Sequence, residues 1–280
     1  MGPRSDRSPI PFSVIVSIQA PGASRYSRQN GPMDLQLLAL LLVVVALLVW
    51  RAVNRERREY AQFKRMRATK RRQRTMRRWL IESTLVFGGL SATVLLATWE
   101  LVPVALADAQ AWEPIAASRA FFLDGDVGRI LVVAGWVLLA VAILLPFLLL
   151  RDADTEDVPK LGDIGALLPR TRGELPYGAG LALSAGVFEE TMFRLALPTL
   201  LFGIGLDGPL AFAVACVLFG ALHLYQKWVG VLTATLLGVV LAYLYLVSGT
   251  ILVPIVVHAL IDLRSLVLLP LVLGKVWSKP

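Results

Sequence analysis

ILVPIVVHALIDLRSLVLLPLVL, running from Ile251 to Leu273, decides how the rest of the chain is read. As a helix rising 1.5 Å per residue it reaches about 35 Å, enough to cross the roughly 30 Å of hydrocarbon in a bilayer. Yet this apolar run carries His258, Asp262 and Arg264. Ionisable groups inside a spanning helix are costly to insert and mark function when they occur.

Six further runs precede it: Leu35–Trp50, Leu80–Trp99, Ile130–Leu150, Tyr177–Phe202, Pro209–Tyr225 and Val229–Val247. The whole chain of 280 residues is 56% hydrophobic and only 17% charged. Soluble domains sit near 45–50% apolar and about 25% charged. A soluble enzyme, a collagen-like rod and a disordered chain are excluded. An outer-membrane barrel is disfavoured, because its strands alternate and are about 10 residues long. The expected fold is an all-α polytopic transmembrane helical bundle of about seven spans, with the catalytic site inside the later four. A single cysteine, Cys216, excludes an intrachain disulfide and reads as a packing residue.

The remaining chain divides around these runs. Residues 1–33 read as a disordered tail or an over-called start, with Met33 as the true initiator. Residues 34–159 hold the first three spans, 160–273 the site-bearing domain and 274–280 a cytoplasmic tail. The formal net charge is +8, from 28 Lys and Arg against 20 Asp and Glu. Loop 51–78 alone contains thirteen Lys or Arg and only Glu56 and Glu59 as acids. Beside a span, such a loop signals cytoplasmic retention and attraction to anionic lipid instead of nucleic-acid binding. That places loop 151–176, Lys227 and the C-terminus inside, and loops 100–129 and 203–208 outside. Trp50, Trp79, Trp228 and Trp277 then fall at cytoplasmic membrane interfaces, where tryptophan collects. The chain is expected to be an integral protein of the plasma membrane.

Helix geometry sorts the buried polar groups. Glu190 and Arg194 are four apart and share a face, so they are expected to pair. Glu189 is rotated about 100° away and is left under-compensated. His258 and Asp262 are again four apart. Arg264 is expected to snorkel or to make a structural pair. The set Glu189, His223, His258 and Asp262 supplies a base, two imidazoles and a further oxygen. Two chemistries can use it. A divalent metal such as zinc, on Glu189, His223 and His258, would lower the pKa of a bound water. Alternatively, with no cofactor, Glu189 and His223 would activate water while His258 and Asp262 stabilise an oxyanion. Either route is hydrolysis by an activated water. HExxH, GxSxG and phosphate-binding glycine loops are absent.

Phe188-Glu189-Glu190-Thr191-Met192-Phe193-Arg194 has the form EExxxR, Phe219 to His223 the form FxxxH, and His258 to Asp262 the form HxxxN/D. In this order, on successive late spans, they resemble the CPBP family of type II CAAX prenyl proteases, bacteriocin-processing enzymes and Abi-like proteins. The resemblance covers about residues 160–273 and leaves the first three spans and the basic loop unexplained. It implies a hydrolase, an intramembrane endopeptidase of the glutamate or metalloprotease type, acting on a membrane-associated protein or peptide. By analogy Glu189 would activate water with His223, His258 with Asp262 would support the oxyanion, and Glu190 and Arg194 would complete the first motif. Asp262 departs from the common Asn, whose amide donates to an oxyanion. A non-catalytic immunity or scaffold protein of the same fold and an ion-coupled transporter are the alternative classes.

Overall fold

The computed structural model describes residues 34–149 and 165–273. The tails expected at 1–33 and 274–280, and most of the loop expected at 151–176, lie outside the described residues. Among those described, helix dominates and no strand occurs. The fold is an all-α polytopic helical bundle.

Helix α1, Leu35–Lys64, is capped by Asp34, whose carboxylate accepts from the amides of Gln36 and Leu37 at 2.9 and 3.2 Å. A short turn leads to α2, Thr69–Gln110, which is 42 residues long. The stretch read as basic loop 51–78 is thus a helical hairpin, with 65–68 as its turn. Hydropathy marks where a helix enters the membrane, not where it ends; Arg, Lys, Gln and Glu are good helix formers and carry both helices outward. Residues 101–107 likewise continue α2. Helix α3, Glu113–Arg119, and α4, Asp126–Leu149, follow. Helix α4 packs on the preceding stretch 120–124 and touches the later helices through the segment 269–273.

The later helices are α5 (175–203), α6 (Gly208–Ala221), α7 (Lys227–Ser248) and α8 (252–273). Five helical stretches are long and apolar enough to cross a membrane: Leu35–Lys64, Thr69–Gln110, Asp126–Leu145, Gly208–Ser248 and Leu252–Val272. The fourth is 41 residues long, about 60 Å if straight. It is instead folded on itself. Residues Leu222–Gln226 form a 3₁₀ turn, Lys227 takes φ 67°, and α6 and α7 then pack along each other. Gly220 permits this contact, since a Cβ there would lie 1.8 Å from Thr235 Oγ1.

Helix α5 is missing from the five, and its charges explain why: Glu189, Glu190 and Arg194 lie within it. It is also the most enclosed helix. Met192, Phe193, Ala196, Leu197, Leu200 and Leu201 are all buried in the main core, among Leu41 and Val44 of α1, Val94 of α2 and Ala211, Ala215 and Phe219 of α6. The bundle itself shields the charges of α5 from lipid.

Candidate active site

Helix α5 widens into two π-helical stretches, Ala185–Glu189 and Thr191–Ala196, on either side of Glu190. Such bulges are uncommon inside α-helices and occur often at functional sites. The two adjacent glutamates meet different surroundings. Glu190 is fully buried, and its Oε2 lies 3.0 Å from Arg194 Nε. The N–H does not aim at the oxygen, so the contact is an ion pair without an aligned hydrogen bond. Arg194 Nη2 donates to the Gly238 carbonyl of α7 at 3.1 Å, and its guanidinium lies 4.7 Å from the Phe219 ring centre.

The other oxygen of Glu190 reaches across to α8: Oε1 accepts from His258 Nδ1 at 2.7 Å. This is a difference from the sequence reading, which gave His258 the carboxylate on its own helix. Asp262 Oδ2 stands 3.8 Å from His258 Nε2, beyond hydrogen-bond range. Pairing across helices has no periodic signature, so the i, i+4 neighbour was the partner the sequence offered. The approach of α5 to α8 depends on Gly186. A Cβ there would lie 2.8 Å from Ala259 Cβ and 2.9 Å from the Ile255 carbonyl.

His223 sits in the turn between α6 and α7. Its Nδ1 lies 2.8 Å from the Phe219 carbonyl and donates to it, which leaves Nε2 as an acceptor. Phe219 is the hub of the motif. Its ring lies 5.2 Å from that of Phe193, 4.9 Å from His223 and 6.1 Å from His258.

Glu189, His223, His258 and Asp262 all line one cavity of about 870 Å³, whereas Glu190 and Arg194 stand behind its wall. Of the six residues picked from the sequence, four therefore face the cavity and two support it. Among the described residues, no three His, Cys, Asp or Glu side chains are placed to hold a metal ion together. Glu189, His223 and His258, read above as a metal set, come from three separate elements and line the same cavity.

Three features were not legible. Arg264 lines the cavity, its Nε buried without a hydrogen-bond partner and its side chain without an ion pair among the described residues. Tyr225 lines the cavity too, with its ring 6.0 Å from His223 and 5.4 Å from Tyr60 of α1. The third is the hairpin of α1 and α2. Arg51, Arg55, Glu56, Glu59, Tyr60 and Trp79 form part of the cavity wall, and Arg51–Glu56 packs on the His223 turn. Only the Phe219 contacts carried a signal, the FxxxH spacing itself.

An apolar helical bundle with such a polar cluster enclosed mid-bundle is that of an integral membrane protein. Residues 171–264 match the family model described as type II CAAX prenyl endopeptidase Rce1-like. The matched interval contains all six site residues, and the matched family is one of proteases. No curated protein and no solved structure matches the chain.

Proposed function

We propose that the protein is an intramembrane endopeptidase that cleaves a membrane-associated protein or peptide with a water activated by Glu189. The observation that carries this is the meeting of Glu189, His223, His258 and Asp262 on the wall of one cavity in the matched interval. Glu189 removes a proton from water, and the free Nε2 of His223 accepts a hydrogen bond from the same water. The hydroxide adds to the scissile carbonyl. His258, with both ring nitrogens protonated, gives one N–H to Glu190 and the other to the oxyanion, and Asp262 flanks that position. Glu189 then returns its proton to the leaving amine. Glu190 and Arg194 position His258 and do not touch substrate.

The basic hairpin supports an orientation with residues 51–78 and the C-terminus on the cytoplasmic side of the plasma membrane. A reporter fused near residue 65 should behave as internal and one near residue 115 as external.

Comparison of membrane peptides from cells making wild type or Glu189→Gln tests the activity, followed by cleavage of the candidate with purified protein. Peptides lost in the variant and regenerated by the pure enzyme are expected. Identical peptide sets would overturn the reading.

A further inference from the structure

The hairpin 51–83 segregates its charges. Its acids turn inward: Glu56 pairs with Arg51 at 2.8 Å, and Glu59 with Arg55 at 2.9 Å and Arg78 at 3.1 Å. Glu82 also takes Arg55, and Trp79 Nε1 donates to Glu59 at 2.6 Å. Arg72 is buried on Glu174. What remains outward is Arg57, Arg58, Arg65, Arg67, Lys70, Arg71, Arg74 and Arg77, all exposed. Among the described residues none of these side chains has an ion pair or hydrogen bond within the chain. Among the described residues the outward face is cationic with no acid to offset it.

Both helices run without a break into apolar spans, at Trp50 and at Leu80. Helical rise therefore sets the height of each cation above the membrane. Arg57 and Arg58 stand about 11–12 Å beyond Trp50, and Arg74 and Arg77 about 5–9 Å before Leu80. Arg74 and Arg77 are within about one Debye length, roughly 8–10 Å at ordinary ionic strength, and Arg57 and Arg58 lie just beyond it, within reach of their own long side chains. Arg65, Lys70 and Arg71, with Arg67 in the turn, stand about 14–22 Å out, where attraction is screened.

We propose that the outward face of this hairpin docks on anionic phospholipid headgroups through Arg57, Arg58, Arg74 and Arg77. The occupant is lipid because continuity with the spans holds these side chains at headgroup height. The tip cations, which a soluble polyanion would reach first, contribute little. The inner face of the same hairpin walls the cavity, so the docked lipid lies directly outside the candidate active site.

The test uses the full-length protein in phosphatidylcholine vesicles doped with photoactivatable phosphatidylglycerol or, separately, photoactivatable phosphatidylcholine. Labelling of the hairpin is read by mass spectrometry and involves no catalysis, so it stands or falls apart from the protease reading. The anionic probe should label residues 51–83 several-fold over the neutral one. Raising the salt to about 1 M, where the Debye length is about 3 Å, should remove the preference. Changing Arg57, Arg58, Arg74 and Arg77 together to Gln should cut anionic labelling at least fivefold, since one cation near the surface is worth about that factor. The same change at Arg65, Arg67, Lys70 and Arg71 should cost less than twofold. Thermal melting separates misfolding from lost docking, and single substitutions follow if the fourfold variant melts early. Equal labelling by both probes, or equal loss in the two sets, would overturn the proposal. So would a single-stranded oligonucleotide that protects the tip set better than the near set.

Discussion

Two buried arginine–glutamate pairs make the most instructive comparison in the molecule. Arg72 and Glu174 are 0% exposed, and Arg194 and Glu190 are 1% and 0% exposed. Both pairs meet at 3.0 Å. Their satisfaction differs. Arg72 Nε bonds both oxygens of Glu174, and its Nη2 donates to the carbonyls of Ala166 and Leu168. Glu174 also accepts the Arg170 amide at 2.9 Å, and the Arg72 guanidinium lies 4.1 Å from the Phe63 ring centre. This pair ties the hairpin to the segment leading into α5. Arg194 and Glu190 lack such alignment, with Glu190 Oε2 and Arg194 Nε and Nη1 free of hydrogen bonds. What Glu190 has instead is His258. A buried ion pair is weak evidence for stability. The first pair reads as a clamp and the second as a brace for an imidazole.

The largest effects should separate clamp from brace. Glu174→Gln and Glu190→Gln each leave an arginine buried without its counter-charge, at a cost of about 3–5 kcal/mol. Both should lower the thermal melting point and the yield. Replacing both partners by apolar residues is often neutral or stabilising. Arg72→Met with Glu174→Leu should therefore recover both stability and activity. Arg194→Met with Glu190→Leu should recover stability but not activity, because His258 then has no acceptor on Nδ1. Melting curves and turnover per folded molecule decide the matter. Equal recovery of activity by both double variants would make the brace no more than a second clamp.

Glu189→Gln changes the neighbouring residue, which faces the cavity and has no ion pair among the described residues. It should cost about 10²–10⁴ in turnover, the range for a lost general base, with the melting point unchanged. A drop in stability equal to that of Glu190→Gln would erase the distinction between the two glutamates.

Gly186 sets the distance over which the brace acts. Gly186→Ala forces α5 away from Ile255 and Ala259, and overpacking of this kind costs about 1–3 kcal/mol. The 2.7 Å contact between Glu190 and His258 should lengthen, so activity falls more than stability does. A matching change at Gly89, where a Cβ meets nothing within 4 Å, should leave both unchanged.

The brace was half visible in the sequence and the clamp was not. Glu190 and Arg194 are one helical turn apart, and their pairing follows from geometry that any helix imposes. Arg72 is one of thirteen cations in its segment, and its partner lies 102 residues away. Nothing local distinguishes it from Arg71 or Arg74. The helices themselves were legible because a run of apolar residues has few other ways to satisfy its backbone in lipid. The same rule says nothing of α1 and α2 beyond the membrane, where water satisfies a loop as well as a helix. The part played by the hairpin in walling the cavity was hidden for that reason, although Glu189, His223, His258 and Asp262, which face the cavity beside Tyr225 and Arg264, were all singled out in the sequence.

The smallest effect concerns Asp262, where the chain departs from the Asn form of its motif. Glu190 at 2.7 Å already orients His258, so Asp262 at 3.8 Å is not needed for that task. What remains is to flank the developing oxyanion or the water in the cavity it lines. Asn keeps the size and one acceptor oxygen and adds an amide donor. Asp262→Asn should therefore hold turnover within about tenfold, roughly 1.4 kcal/mol of barrier. Asp262→Ala removes both the acceptor and the volume and should cost on the order of 10²–10³, the size of a lost oxyanion group. The ratio of the two variants is the informative quantity. A large ratio assigns position 262 to hydrogen bonding at the reacting carbonyl. If Asn and Ala prove equally inactive in folded protein, the negative charge itself is required and the oxyanion role given to Asp262 is wrong.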